Sequence, residues 1–273
     1  VFDLFGVQNV RATATSLSGQ TSAVVSQSVD VATAALRTAN GKTDLFYVAP
    51  FGLAAISFFG AGESVTVFRF IEGGAFLYRV QSFAGVTGTV YAYSTIGDVL
   101  FDASGLMSKS VQLQAGLGAA TLVGSRNGDS VLIGGDRNDV LIGSGGKTVL
   151  VGGDGDDLLI GGPGASWFLP GKGSDLVVAG SLKSNSIASD VYAIQAEWNS
   201  GRSFTDRVLN LAGFGAGPRA NGSVFLVPGQ TTLSNHQVDI VLATVSGEEN
   251  DQTSDWILFD PVEDPVFGVS EVD

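Results

Sequence analysis

Apolar residues recur along this chain in two rhythms. Between residues 115 and 178, turn-forming runs alternate with short, largely apolar triplets: AGLGAATLV, GSRNGDSVLI, GGDRNDVLI, GSGGKTVLV, GGDGDDLLI, GGPGASWFL and PGKGSDLVV. Seven units follow one another; six are nine residues long, and the second, 124–133, carries one more. Each reads as a tight turn, where Gly supplies backbone conformations closed to other residues, followed by a short strand. The eighth residues, or the ninth in the longer second unit, are Leu122, Leu132, Leu141, Leu150, Leu159, Phe168 and Val177. All are apolar, as side chains facing a narrow core must be. Nonapeptides of this kind predict a parallel solenoid with two units per turn.

Before residue 111 the rhythm is the alternation of β-strands. Candidates are 1–5, 7–15, 22–31, 43–48, 53–59, 65–71, 76–83, 89–93 and 99–101, with 65–71 and 76–83 as the clearest hairpin. The Phe-rich stretch from Phe46 to Phe70 reads as sheet core. After Gly180 the spacing becomes helical. Val191, Ile194 and Trp198 recur within 190–199, and Phe204, Val208 and Leu211 within 203–211, where Ser203 and Asp206 are placed as a capping box. Strands return at 223–227, 238–244 and 255–259. In HQVDIVLAT and TSDWILFD an Asp precedes an apolar triplet, so Asp239 and Asp255 resume the repeat and are candidate cation ligands.

The predicted class is therefore all-β: a parallel β-roll or β-helix solenoid with an N-terminal β-rich domain and a small helical insertion. The predicted divisions are a β-rich domain (1–110), the roll (111–185), a helical hairpin insertion (186–222) and C-terminal strands extending or capping the roll (223–273). Outward positions on the repeat strands are apolar too: Val140 and Ile142, Val149 and Val151, Leu158 and Ile160, Trp167 and Leu169, Leu176 and Val178. Sheets apolar on both faces are normally covered on both. The expected cover is the N-terminal sheet, the following helices or a second copy of the chain.

Stacking alternate units places Asp139, Asp157 and Asp175 along one edge, with Asp136, Asp154 and Asp156 nearby and only Arg137 and Lys172 to compensate. Thr148 and Ser166 take the same position on the other edge, where the extra residue displaces Asp129. Carboxylates one strand spacing apart, about 4.8 Å, repel by roughly 3.5 kcal/mol at an effective dielectric near 20. Such a row calls for a cation, and hard oxygen ligands favour calcium. The alternative is a solenoid held by packing alone, its aspartates solvated.

The units also follow a known pattern, G-G-x-G-x-D-x-U-x, where U is a large apolar residue. Residues 152–160 match throughout; 134–142 has Arg137 in place of Gly, and 170–178 has Pro170 for the first Gly. The series resembles the RTX family of haemolysin-type calcium-binding repeats, and 179–226 is similar to the segment that often follows such repeats in large bacterial surface proteins. The resemblance implies a β-roll with calcium between neighbouring loops of one edge, held by backbone carbonyls and the sixth-position carboxylates. One ion would lie between 134–139 and 152–157, another between 152–157 and 171–175. The implied ligands come from Gly134, Asp136, Asp139, Gly152, Asp154, Asp157, Gly171 and Asp175, with few or no ions on the opposite edge.

Composition narrows the function. The net charge of −13, with no basic stripe, argues against nucleic acid as a partner and suits divalent cations. There are no cysteines, hence no disulfides or thiolate ligands. No uncharged apolar run long enough to span a membrane occurs. H-E-x-x-H and G-x-S-x-G are absent. GSGGKT suggests a phosphate loop, but that motif needs Gly at position 141, where Leu141 stands. His236, the single histidine, reads as a surface residue. The chain begins at Val1, as a processed protein or a segment of a longer one would. The expectation is no enzyme but a calcium-binding structural module of a secreted or cell-surface bacterial protein, with self-assembly through its outer sheet faces. Its alternatives are the C-terminal export and folding module of a larger RTX enzyme or toxin, and a carbohydrate-binding adhesin.

Overall fold

The computed structural model describes residues 9–12, 25–28, 33–49, 54–71, 77–183, 187–242, 254–260 and 262–267. The fold is all-β, with two large, mainly parallel sheets and two short helices. From residue 90 to 178 the chain alternates between the sheets. Val90–Tyr93, Val111–Gln114, Ser130–Gly135, Thr148–Asp154 and Ser166–Lys172 lie side by side in the first. Val99–Leu106, Ala120–Val123, Val140–Ile142, Leu158–Ile160 and Leu176–Val178 do so in the second. Neighbours are parallel and in register, Thr148 beside Ser166 and Leu158 beside Leu176. The strands are short because each ends where the next Gly-rich turn begins.

Alternation sorts the side chains. Leu122, Leu132, Leu141, Leu150, Leu159, Phe168 and Val177, the middle apolar residues of the repeat triplets, are all 0% exposed and share one core. That core continues into the N-terminal strands through Leu45, Tyr47, Ile56, Phe58 and Phe101. Lys42–Val48 pairs in parallel with Val90–Tyr93, and Ala54–Gly60 with Val99–Leu106. Both sheets thus run across residue 110 without interruption. They then turn antiparallel. Thr33–Ala39 folds onto Lys42–Val48 through Asn40 and Gly41, both at positive φ, and Val65–Ile71 pairs with both Ala54–Gly60 and Leu77–Phe83. The predicted strand 1–5 lies outside the described residues. Of 7–15 and 22–31, the described parts are Asn9–Ala12 and Val25–Ser28, an antiparallel pair.

After Val178 the chain leaves the sheets for α1 (Ile187–Trp198) and α2 (Phe204–Leu211). Ser203 caps α2: its hydroxyl accepts the Asp206 amide at 3.2 Å. The chain then rejoins the repeat. Ile240–Leu242 pairs with Ser166–Lys172, and Trp256–Leu258 with Leu176–Val178, both in parallel. Residues 223–227, expected as a strand, form none. The Leu226 amide bonds to the Leu211 carbonyl at the end of α2, and the Val227 amide to the Thr231 hydroxyl. The apolar residues of this run serve the helices instead.

The outer faces differ. On the second sheet Val140, Leu158, Ile160, Leu176 and Val178 are buried beneath Val191, Ile194, Trp198 and Leu211 of the helices. Burying side chains of this size stabilises by about 1.5–3 kcal/mol each, which is what draws the hairpin onto the sheet. On the first sheet Val131 and Val149 are half-buried and Trp167 is 53% exposed. No helix among the described residues is long and apolar enough to cross a membrane.

Candidate cation site

The loops running from the first sheet to the second carry the Asp row. Register puts Asp139, Asp157 and Asp175 one above another, each immediately before a core strand, and all three are 0% exposed. The reading in which they are solvated is thereby excluded. Each carboxylate holds the turn before it through one oxygen. Oδ1 of Asp139 accepts the Ala120 amide at 2.6 Å, that of Asp157 the Asp139 amide at 2.7 Å, and that of Asp175 the Asp157 amide at 2.8 Å. Asp255 continues the series, its Oδ1 accepting the Asp175 amide at 2.9 Å.

The second oxygen is different. Oδ2 of Asp139, Asp157 and Asp175 is buried and has no hydrogen-bond partner, and these are the only carboxylate oxygens so placed among the described residues. Oδ2 of Asp139 and the carbonyl oxygen of Gly152 converge on the space that a side chain at Gly134 would fill. Oδ2 of Asp157 and the Pro170 carbonyl do the same at Gly152. Glycine at the first repeat position leaves these oxygens uncovered. A buried, unpaired carboxylate oxygen is costly, and several in a row more so.

The electrostatics follow. Loss of water pushes the Asp139 carboxyl up to about 7, Asp157 to about 9 and Asp175 to about 8. The backbone bonds to Oδ1 pull the other way, and neighbouring carboxylates add to the rise. Protein groups alone therefore leave these acids reluctant to ionise at neutral pH. A divalent cation would reverse that.

The opposite edge is an internal control. The same register position holds Ser130, Thr148, Ser166 and then Asp239. Ser166 Oγ donates to the Gly161 carbonyl at 3.1 Å, and Ser144 Oγ to the Gly128 carbonyl at 3.1 Å. Thr148 Oγ1 accepts the Ser144 amide at 3.2 Å. The Asn235 side-chain nitrogen lies 3.2 Å from the Gly162 carbonyl, 2.9 Å from the Gly164 carbonyl and 3.0 Å from Asp239 Oδ2. At the far end the Lys109 ammonium donates to the Val86 carbonyl. Hydroxyls, an amide and an ammonium here bond to loop carbonyls and to the Asp239 carboxylate, whereas Oδ2 of Asp139, Asp157 and Asp175 on the other edge has no partner. The extra residue of the second unit brings Ser130 into this row and leaves Asp129 outside, its Oδ1 on the Lys147 amide.

The structure thus gathers Gly134, Asp139, Gly152, Asp157 and Asp175 of the predicted ligands. Asp136 and Asp154 stand at the surface, and Asp154 pairs with Lys172 at 3.5 Å. Gly171, at φ +112°, lies where any Cβ would strike the Gly153 carbonyl. The Pro170 carbonyl was not among the predicted donors; the register of Pro170 with Gly152 and Gly134 was the available signal. Asn235 was missed as well; it takes the second repeat position, where the preceding units of that edge carry Ser125, Ser144 and Gly162. Among the described residues no three His, Cys, Asp or Glu side chains converge as a metal site. A cation here would depend on paired carboxylates completed by backbone carbonyls, a donor set that suits calcium. Comparison with protein-family models, curated proteins and solved structures found no match to this chain.

Proposed function

We propose that this protein is a noncatalytic, calcium-stabilised β-roll of the RTX kind, a structural module of a secreted or surface-exposed protein. The observation that carries the reading is the row of buried, unpaired Asp139, Asp157 and Asp175 Oδ2 atoms on one edge, set against a fully partnered row on the other. Two sheets linked by alternating turns at both edges are consistent with a roll. One ion would lie between loops 134–139 and 152–157, the next between 152–157 and 170–175, each held by Oδ2 atoms and carbonyls such as those of Gly152 and Pro170. The ion supplies the positive charge that lets the carboxylates ionise while buried, tying adjacent turns together. Calcium is scarce inside cells and plentiful outside them, so folding of this edge would be completed after export.

The test is a calcium titration followed by calorimetry and circular dichroism, on the wild type and on Asp157→Asn. Asp157 serves both proposed sites, and Asn keeps its shape and an acceptor for the Asp139 amide. Calcium at a hundredfold excess over Kd should stabilise the wild type by about 2.7 kcal/mol for each site filled. Asp157→Asn should lose most of that gain and the heat of binding. A wild type that shows no heat and melts at the same temperature with calcium or chelator overturns the proposal, leaving a ladder of neutral carboxyls in a fold held by packing.

A further inference from the structure

The helical hairpin touches all three loops of the Asp edge, each time at the residue immediately before a ladder aspartate. Gln195 Nε2 donates to the Asn138 carbonyl at 3.4 Å. Trp198 Nε1 donates to the Ser174 carbonyl at 2.7 Å. Arg207 Nη1 lies 3.7 Å from Asp156 Oδ2. These three loop residues form an outer ladder of their own: Asn138 Oδ1 accepts the Asp156 amide at 2.9 Å, and Asp156 Oδ1 the Ser174 amide at 2.9 Å.

Two peptide groups are consequently gripped from both sides. In the Asn138–Asp139 peptide the carbonyl faces Gln195 and the N–H faces Asp157 Oδ1. In the Ser174–Asp175 peptide the carbonyl faces the Trp198 indole and the N–H faces Asp255 Oδ1. A peptide is planar, so fixing its oxygen fixes the direction of its N–H and with it the carboxylate that accepts it. Trp198 is itself held: it is 0% exposed, its carbonyl accepts Arg207 Nη1 at 2.6 Å, and the guanidinium lies 4.6 Å from its ring centre.

We infer that the helical hairpin positions the ion ladder, with Trp198 and Gln195 as positioning residues that set the peptides between its carboxylates. The inference rests on the calcium reading above. Helix docking and ion binding are then linked, and each strengthens the other by the same factor. Outer-shell partners of metal ligands commonly contribute tenfold or more in affinity.

Trp198→Phe keeps a buried aromatic ring while removing the N–H donor along with part of the indole's volume, and Gln195→Met keeps the length of the side chain. Calcium affinity should fall about tenfold in Trp198→Phe and further in the double variant, narrowing the gap in melting temperature between calcium and chelator. In the wild type, calcium should slow amide hydrogen exchange across 187–211. A purely structural role for Trp198 would lower both melting temperatures equally and leave affinity unchanged. Wild-type affinity in both variants, alongside lost binding in Asp157→Asn, overturns the inference and spares the calcium reading. Absence of calcium binding by the wild type overturns both.

Discussion

The Asp139 amide donates to Oδ1 of Asp157 across 2.7 Å, so the carboxylate of one turn holds the backbone of the turn before it. The same Asp157 keeps a second oxygen, buried and unpaired, beside the Pro170 carbonyl and the bare Cα of Gly152. One residue therefore has a structural oxygen and a free one. The division recurs at Asp139 and Asp175, and it makes the response of the Asp edge to pH, to added ions and to the size of the residue at 152 the property to test.

Proton linkage gives the first prediction. Unfolded aspartates lose their proton near pH 4, whereas the folded carboxyls hold theirs up to about 7, 9 and 8. In chelator the folded state binds more protons over this interval, so stability is greatest below the unfolded value and falls as pH rises from 5 to 9. The folding constant should drop roughly tenfold per pH unit for each group still protonated. Saturating calcium keeps the carboxylates ionised when folded, so the fall should flatten or reverse. Melting temperatures across this range, with calcium and with chelator, check it. Asp157→Asn should flatten the slope in chelator; a wild-type melting temperature that climbs with pH in chelator would contradict the buried ladder.

Much of this was legible because every repeat unit solves the same local problem. A Gly turn, a short polar residue before most strands (Asp on one edge, Ser or Thr on the other) and an apolar core residue within the strand specify the register by themselves, and Asp239 and Asp255 could be placed after a helical interruption on that basis. The helices announced themselves through Val191, Ile194 and Trp198. What they grip did not. The Asn138 carbonyl that Gln195 reaches lies 57 residues away, and backbone atoms carry no sequence signal. Asn235 likewise acts on carbonyls 71 and 73 residues earlier. The run 223–227 had a strand's composition, but the Leu211 carbonyl at the end of α2 claimed the Leu226 amide. The Asn40–Gly41 turn was a readable hairpin signal, and it fixes Thr33–Ala39, a strand the pattern reading did not place.

Gly152→Ala tests the geometry of the cradle. An added methyl would strike Asp157 Oδ2 and the Pro170 carbonyl, neither of which is the loose end of a flexible side chain. The expected cost is about 1–3 kcal/mol, together with loss of the calcium-dependent rise in melting temperature. Gly201→Ala is the comparison, since a Cβ there meets nothing within 4 Å. It should melt and bind as the wild type does. Equal behaviour of the two variants would remove Gly152 from the site.

Asn235 offers the converse experiment, in which an ion requirement is created. Its amide nitrogen is within 3.2 Å of two loop carbonyls and of Asp239 Oδ2, oxygens equivalent in kind to those that would hold calcium on the Asp edge. The pKa of Asp239 is raised only to about 6, lower than that of the three ladder acids, and the bond from Asn235 is among the causes that hold it down. Asn235→Ala removes the donor and leaves those oxygens facing one another. In chelator the variant should lose about 1–3 kcal/mol, the cost of a buried acceptor left without its partner. Calcium should restore a larger share of stability to it than to the wild type, with one more ion bound per chain by equilibrium dialysis. If the loss is the same with calcium and chelator and the ion count does not change, the amide is an ordinary loop contact and the likeness between the two edges ends at the backbone.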